Sequence, residues 1–363
     1  MSKIKPLIIS RTLPYLGGRE VVVNILIKSF SKNGDLCVLT PDNYPKQGKV
    51  KKYNSNRDYA DILKWVKKQK VTIINCHTFY LADLAIYLSR ELNKPLVFTL
   101  HGVFIDFYGR KYGKLLKNIY NNSNRIITVS DNYRYNLGKY IGDSSKLITI
   151  KNGIDLKVID KINKNPLYYR KKNHLPEEKF IVLIPARLTY LKGLDYLVEA
   201  AKNINDKGIL FIVCSPKGRK NFEETVYRNK LKNLLQGNLF NVKFIYLDQD
   251  KILEYYQSSN VILLPSLIEG VSISLLEAMA LGKTVVATKI GGNREIITHK
   301  RNGYIINPKN SKAIKKIILT LKRQRKPLIT GKYARQTIVN HFLSDTMVDG
   351  YYKIFKEIIN ENK

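Results

Sequence analysis

Short apolar runs rich in β-branched residues alternate along this chain with amphipathic segments of helical length, and that alternation constrains the fold more than any other feature. Strand-like runs occupy 7–10, 35–39, 72–75, 96–100, 125–129 and 147–150. Between the first two lies "EVVVNILIKSFSKNG", which reads as a helix with one apolar face closed by Gly34. Strands alternating with helices predict a parallel, doubly wound α/β sheet.

At 363 residues the chain is long for a single core. The pattern breaks at "LKVIDKINKNPLYYRKKNHLPEE", residues 156–178, and restarts at "FIVLIPARL", continuing through "ILFIVCS", "VKFIYL", "VILLPS", "TVVAT" and "NGYIINP". The expected layout is a first Rossmann-like domain at 1–160, a linker at 161–178 and a second Rossmann-like domain at 179–344. A terminal helix at 345–363 is expected to pack back on the first domain. Ligands of such sheets bind beyond the carboxyl ends of the strands, so two facing domains would enclose a central cleft.

Composition narrows the partners. A formal net charge of +34, spread over both halves, favours something anionic: a phosphorylated substrate, an anionic membrane surface or nucleic acid. Nothing approaches the ~18 uninterrupted apolar residues of a membrane span, and "PLIIS" near the start is too short for a secretory signal. A cytoplasmic protein is the expectation. Cys37, Cys76 and Cys214 lie far apart in or beside strand-like runs without metal-ligand spacing, which reads as three core residues.

Four constellations follow a strand or open a helix. Gly17 and Gly18 precede a helix, where backbone amides can approach an anion; a plain glycine turn is the bland alternative. His101 follows the buried strand in "PLVFTLHG". Arg187 and Lys192, in "ARLTYLKG", follow the first strand of the second domain; two cations there suit a diphosphate leaving group, or are merely solvated. Glu269 precedes a helix expected from Val271 to Leu281 and closed by Gly282, and Glu277 sits within that helix among apolar residues. Carboxylates accept charge-assisted hydrogen bonds from sugar or ribose hydroxyls, and the amides of Val271, Ser272, Ile273 and Ser274 lie at the helix start. The alternative makes Glu269 a helix-start charge and Glu277 the partner of a buried cation.

Taken in order, "GG" (17–18), "TLHG" (99–102), "TIKNGID" (149–155), "ARLTYLKG" (186–193), "EGVSISLLEAMALGKTVVAT" (269–288), "GGNREII" (291–297) and "RNGYII" (301–306) resemble the family-4 retaining glycosyltransferases. The resemblance implies a GT-B fold, with the acceptor on the N-terminal domain and a nucleoside-diphosphate sugar on the C-terminal one. It also implies retention of anomeric configuration, and neither a metal nor a cofactor. By motif, Arg187 and Lys192 hold the diphosphate, Glu269, Gly270, Val271, Ser272 and Ile273 surround the donor sugar, and Glu277 takes the ribose. His101 lies near the reacting centre, and the Gly17 and Gly18 amides approach the diphosphate. Gly270-Val271-Ser272 stands where many members carry Gly-Phe-Gly, and Ala186 replaces a common Gly, so these motifs name neither sugar nor base.

The rival readings are a nucleotide-sugar epimerase or phosphorylase of the same fold and a basic nucleic-acid-binding protein, for which no recognisable module exists. Two basic amphipathic stretches, 61–70 with Trp65 and 103–125, suggest a peripheral enzyme on the cytoplasmic face of the membrane. Phe104, Phe107, Leu115, Leu116 and Ile119 would flank the acceptor entrance there, and Lys111, Lys114 and Lys117 would meet anionic headgroups. The acceptor is then a glycan or lipid-linked precursor, and no nucleic acid is expected.

Overall fold

The computed structural model describes residues 4–10, 17–32, 36–40, 49–52, 59–102, 105–217, 222–235, 241–324 and 330–362. The chain divides into two compact units, residues 1–153 with 344–363 and residues 154–343.

Unit 1 holds the strands β1 (Pro6–Ile9), β2 (Cys37–Thr40), β3 (Lys49–Lys52), β4 (Ile73–Cys76), β5 (Leu96–Leu100), β6 (Arg125–Thr128) and β7 (Leu147–Thr149). They form one parallel sheet in the order β3-β2-β1-β4-β5-β6-β7. β1, β2, β4 and β5 are buried at every position, as expected of a sheet covered on both faces. β3 was not anticipated, because "KVKK" carries too little apolar character. It lies at the sheet's edge, where lysines discourage pairing with another chain. The first helix runs Gly18–Ser31; Gly34, expected to close it, lies outside the described residues.

The helix Ser344–Glu361 belongs to unit 1. It buries Met347, Tyr351, Phe355, Ile358 and Ile359, and Phe355 stacks on Phe30 of the first helix at 5.7 Å between ring centroids.

Unit 2 holds β8 (Phe180–Pro185), β9 (Ile209–Pro216), β10 (Val242–Leu247), β11 (Val261–Leu264), β12 (Thr284–Thr288) and β13 (Tyr304–Ile306), all parallel in the order β10-β9-β8-β11-β12-β13. Its core joins Val182, Ile184, Phe211, Leu263 and Val286 of the sheet to Leu197, Val198, Ile314 and Ile318 of flanking helices.

The expected linker at 161–178 is instead an integral part of unit 2, and the division falls at 153/154 rather than 160/161. Asn165 caps a helix, Pro166–Lys172, with Pro166 in its first turn. Arg170 is buried and donates through Nε to Ser258 O at 2.9 Å and through Nη2 to Asn260 Oδ1 at 2.7 Å. Most of the charges that suggested a linker are exposed: Lys157, Asp160, Lys161 and Lys164 before this short helix, Lys171 and Lys172 in its last turn, and Glu177 and Glu178 after it. Tyr169 and Arg170 face inward.

Candidate active site

In both sheets the order reverses beside the first strand of the unit, between β1 and β4 and between β8 and β11. Loops diverge at such a point and leave a crevice beyond the carboxyl ends of the strands. The sequence-derived residues gather there in each unit.

In unit 2, Arg187 and Lys192 follow β8, and Glu269 follows β11. Two glycines fasten these loops together. Gly193 has φ +64°, and a Cβ on it would lie 2.1 Å from Pro265 O; Gly291 has φ +42°, and a Cβ there would lie 1.9 Å from Glu269 O. Only a residue without a side chain permits such approach in that backbone region. Backbone bonds from Leu267 N to Leu191 O, 2.8 Å, and from Gly292 N to Gly270 O, 2.7 Å, complete the fastening. As a result Lys192 Nζ donates to Glu269 Oε1, which also accepts from Ser266 Oγ at 2.9 Å. The pair is largely but not wholly enclosed, with side-chain exposures of 20% for Lys192 and 15% for Glu269. Arg187 is exposed and makes no ion pair among the described residues.

The helix after Glu269 spans Ile273–Ala280, shorter than the 271–281 expected, with Ser272 as its N-cap. Leu275 N and Leu276 N both donate to Ser272 O, so the Ile273 and Ser274 amides precede the first helical acceptor. The Val271 and Ile273 side chains are buried, so these two positions offer a ligand backbone only. Glu277 is half-buried, and its partner is no buried cation: Tyr256 Oη donates to Oε2 at 3.2 Å. Desolvation pushes the Glu277 carboxyl up to about 7, against a smaller lowering from the tyrosine hydroxyl.

In unit 1 the Gly17 amide is not free for an anion. It donates to Glu20 Oε2 at 3.0 Å, the backward half of a capping box, and Glu20 also binds the Arg19 guanidinium at 2.6 Å. Gly18 begins the helix. His101, just past β5, meets a second histidine that sequence reasoning passed over: His77 Nδ1 lies 2.8 Å from His101 Nε2. His77 in turn meets Asn75 Oδ1 at 2.6 Å and stacks on Tyr351. "IINCH" places His77 at a strand's end as "TLHG" places His101, so the same positional rule would have found it. Arg19, Asn75, Ser266 and Tyr351 had no comparable signal.

Among the described side chains of the basic helix Ile105–Asn122, the apolar ones turn to the core rather than to an acceptor entrance: Leu116 and Ile119 are buried, and Leu115 is half-buried. Spacing by three and four on a helix that covers a sheet produces the same pattern as a membrane-facing stripe. Lys114 and Lys117 are exposed and Trp65 is half-buried. Phe104 and the side chains of Phe107 and Lys111 lie outside the described residues. All three cysteines are buried, and none is in a disulfide. Among the described residues no helix is long and apolar enough to cross a membrane.

Two parallel, doubly wound units with polar side chains gathered at each switch point define an α/β protein of the GT-B fold. HepE from Anabaena, solved with UDP and glucose, superposes with a TM-score of 0.86 at 19% identity, covering 98% of this chain and 100% of that one. "Glycosyltransferase Family 4" matches residues 16–158, and "Glycosyl transferases group 1" matches residues 168–337. The chain therefore belongs to the group 1, family 4-like glycosyltransferases. An uncharacterized glycosyltransferase of Methanocaldococcus jannaschii is 28% identical over 68% of this chain and 64% of its own length, so the chain spans less than two thirds of that relative. The UDP-Gal:alpha-D-GlcNAc-diphosphoundecaprenol alpha-1,3-galactosyltransferase of Escherichia coli is 24% identical over 84% of this chain and 80% of its own length.

Proposed function

We propose that this glycosyltransferase moves a sugar from a nucleoside-diphosphate donor, with retention and without a metal, to a lipid-linked or glycan acceptor at an anionic membrane surface. The observation that carries the reading is the Lys192–Glu269–Ser266 cluster at the β8/β11 switch point. An ammonium has three donors and a carboxylate about four acceptor sites, so each partner retains capacity after the pair has formed. The spare Lys192 donors, with Arg187 beside them, suit the diphosphate oxygens, and the spare Glu269 lone pairs suit sugar hydroxyls. Charge developing on the leaving diphosphate would meet two cations and the amides of Ile273 and Ser274. Glu277 would accept from the ribose hydroxyls, and His101 would lie near the transferred sugar.

The acceptor part of the proposal draws on the Escherichia coli relative, whose name specifies a diphosphoundecaprenol-linked sugar, and on the net charge of +34. The test is release of nucleoside diphosphate from UDP-, GDP- and ADP-sugars, with and without a polyprenyl-diphosphate-sugar in anionic vesicles. Acceptor-dependent release that persists in EDTA, with the product anomer matching the donor, is expected. Loss of all activity in EDTA and recovery in manganese would overturn the metal-free mechanism. Failure of the protein to sediment with anionic vesicles at low salt would remove the membrane.

A further inference from the structure

A chain of hydrogen bonds in unit 1 fixes where each proton sits. Asn75 Nδ2 lies 3.2 Å from Val97 O and 3.0 Å from Thr99 Oγ1. A backbone carbonyl only accepts, so the amide nitrogen must face it and Oδ1 must face His77. Oδ1 is an acceptor, so the 2.6 Å contact requires the proton on His77 Nε2. Burial, then the neighbouring His101, then the Arg19 guanidinium hold His77 well below the usual imidazole range, so the ring is neutral and its Nδ1 is a bare lone pair. That lone pair faces His101 Nε2 at 2.8 Å, and the proton between them must come from His101. Burial and Arg19 lower His101 to about 3. Its remaining nitrogen, Nδ1, is therefore a second bare lone pair, enclosed and without a hydrogen-bond partner among the described residues. An enclosed acceptor left unpaired is a cost that an incoming donor removes.

We infer that Asn75 and His77 are positioning residues that lock His101 as its Nε2–H tautomer, so that His101 meets substrate as a hydrogen-bond acceptor through Nδ1. The group it takes is a hydroxyl of the sugar being transferred or of the acceptor. The network is closed from behind by Tyr351, which stacks on His77 at 6.3 Å between centroids and donates to Thr99 Oγ1 at 3.4 Å. His101 has no spare proton in this state, so it neither donates to the substrate nor serves as the acid for a leaving group. The inference rests on the reading above that His101 lies near the transferred sugar, although the tautomer itself does not depend on that reading.

The test uses the full chain carrying 15N-labelled histidine. Long-range proton–nitrogen spectra distinguish the two ring nitrogens, and His101 is assigned by the signals lost in His101→Gln. The expected result is a proton on Nε2 and a bare Nδ1 throughout the pH range in which the protein stays folded. A proton on Nδ1 in the wild type overturns the inference, whatever the activity. His77→Phe keeps a ring against Tyr351 and removes the acceptor. In that variant His101 should populate both tautomers, and kcat/KM should fall roughly tenfold, the worth of one ordinary hydrogen bond. His77→Gln, whose carbonyl can accept from Nε2–H, should restore the tautomer and most of the rate. A His77→Phe variant with an unchanged tautomer and rate overturns the inference. Should no donor turn over at all, the functional reading falls while the spectrum still decides the tautomer.

Discussion

The two switch points solve the same problem with opposite chemistry. In unit 1 the polar groups within and just past β4 and past β5 form a neutral, enclosed chain, Asn75–His77–His101, in which each proton has one place to be. In unit 2 the groups past β8 and β11 are a charged pair, Lys192 and Glu269, kept partly open to water. A neutral network tolerates burial because each donor meets an acceptor, whereas a fully buried ion pair must recover a desolvation penalty of several kcal/mol per ion. Rigid strand ends suit the first. Loops fastened by Gly193 and Gly291 suit the second, since an ion pair near water can exchange part of its partnership for an anionic ligand. One unit thus holds an ordered chain of neutral groups at its strand ends, and the other an ion pair that water can reach.

The largest expected effect breaks the charged site outright. Glu269→Ala should lower turnover roughly 10³-fold, the upper scale for a lost transition-state contact, with the circular-dichroism spectrum unchanged. Wild-type turnover would remove Glu269 from the site.

Separating the two cations sharpens the comparison. Arg187→Ala and Lys192→Ala should each cost roughly 10²-fold in kcat. Arg187 is exposed and makes no ion pair among the described residues, so only Lys192→Ala, which strips Glu269 of its cation, should also shift the denaturation midpoint. Equal midpoints for both variants would mean that the ion pair contributes nothing to the fold.

The smallest effect concerns Glu277, a half-buried carboxylate of unit 2 that meets a tyrosine hydroxyl rather than a cation. Its folded value of about 7 stands above the ordinary 4.5, so the folded state holds a proton that the unfolded state has released. Stability should therefore fall as pH rises between 4.5 and 7 and stay low above that window, by about 3 kcal/mol or less. Glu277→Gln should flatten this dependence, which denaturant titrations across the window would read. Nucleotide affinity should run the other way. An ionised carboxylate is the better acceptor for ribose hydroxyls, so wild-type affinity should rise as pH passes 7, and the Gln variant's should not.

Much of this was legible in the sequence because backbone pattern and motif order carried it. The buried strands, the doubly wound topology and the strand-end location of His101, Arg187, Lys192 and Glu269 all follow from apolar periodicity and from what terminates each run. What escaped had physical reasons. β3 pairs through its backbone, so "KVKK" leaves little hydrophobic trace. Residues 161–178 read as a linker because the inward role of Arg170 depends on carbonyls some 90 positions away, as the bond to Ser258 O shows. Glu277 met a tyrosine hydroxyl rather than a cation, and no local spacing connects it to Tyr256. The apolar stripe of 105–122 was visible, but periodicity reports only that a face is buried and not what buries it. Gly17 was placed correctly at a helix start, while its amide had already been claimed by Glu20 three positions on.

Unit 1 is discontinuous: its sheet is made from residues before 154, yet the helix Ser344–Glu361 completes it. During synthesis the first-made strands must therefore wait for the rest of the chain, with Phe30 lacking the ring that later stacks on it and His77 lacking Tyr351. Unit 2, contiguous from 154 to 343, meets no such delay and can close while unit 1 is still open. The unit whose strands are translated first is thus the last to have all of its chain available. A stop codon after residue 343 would strike hardest at the half of the molecule that was translated first.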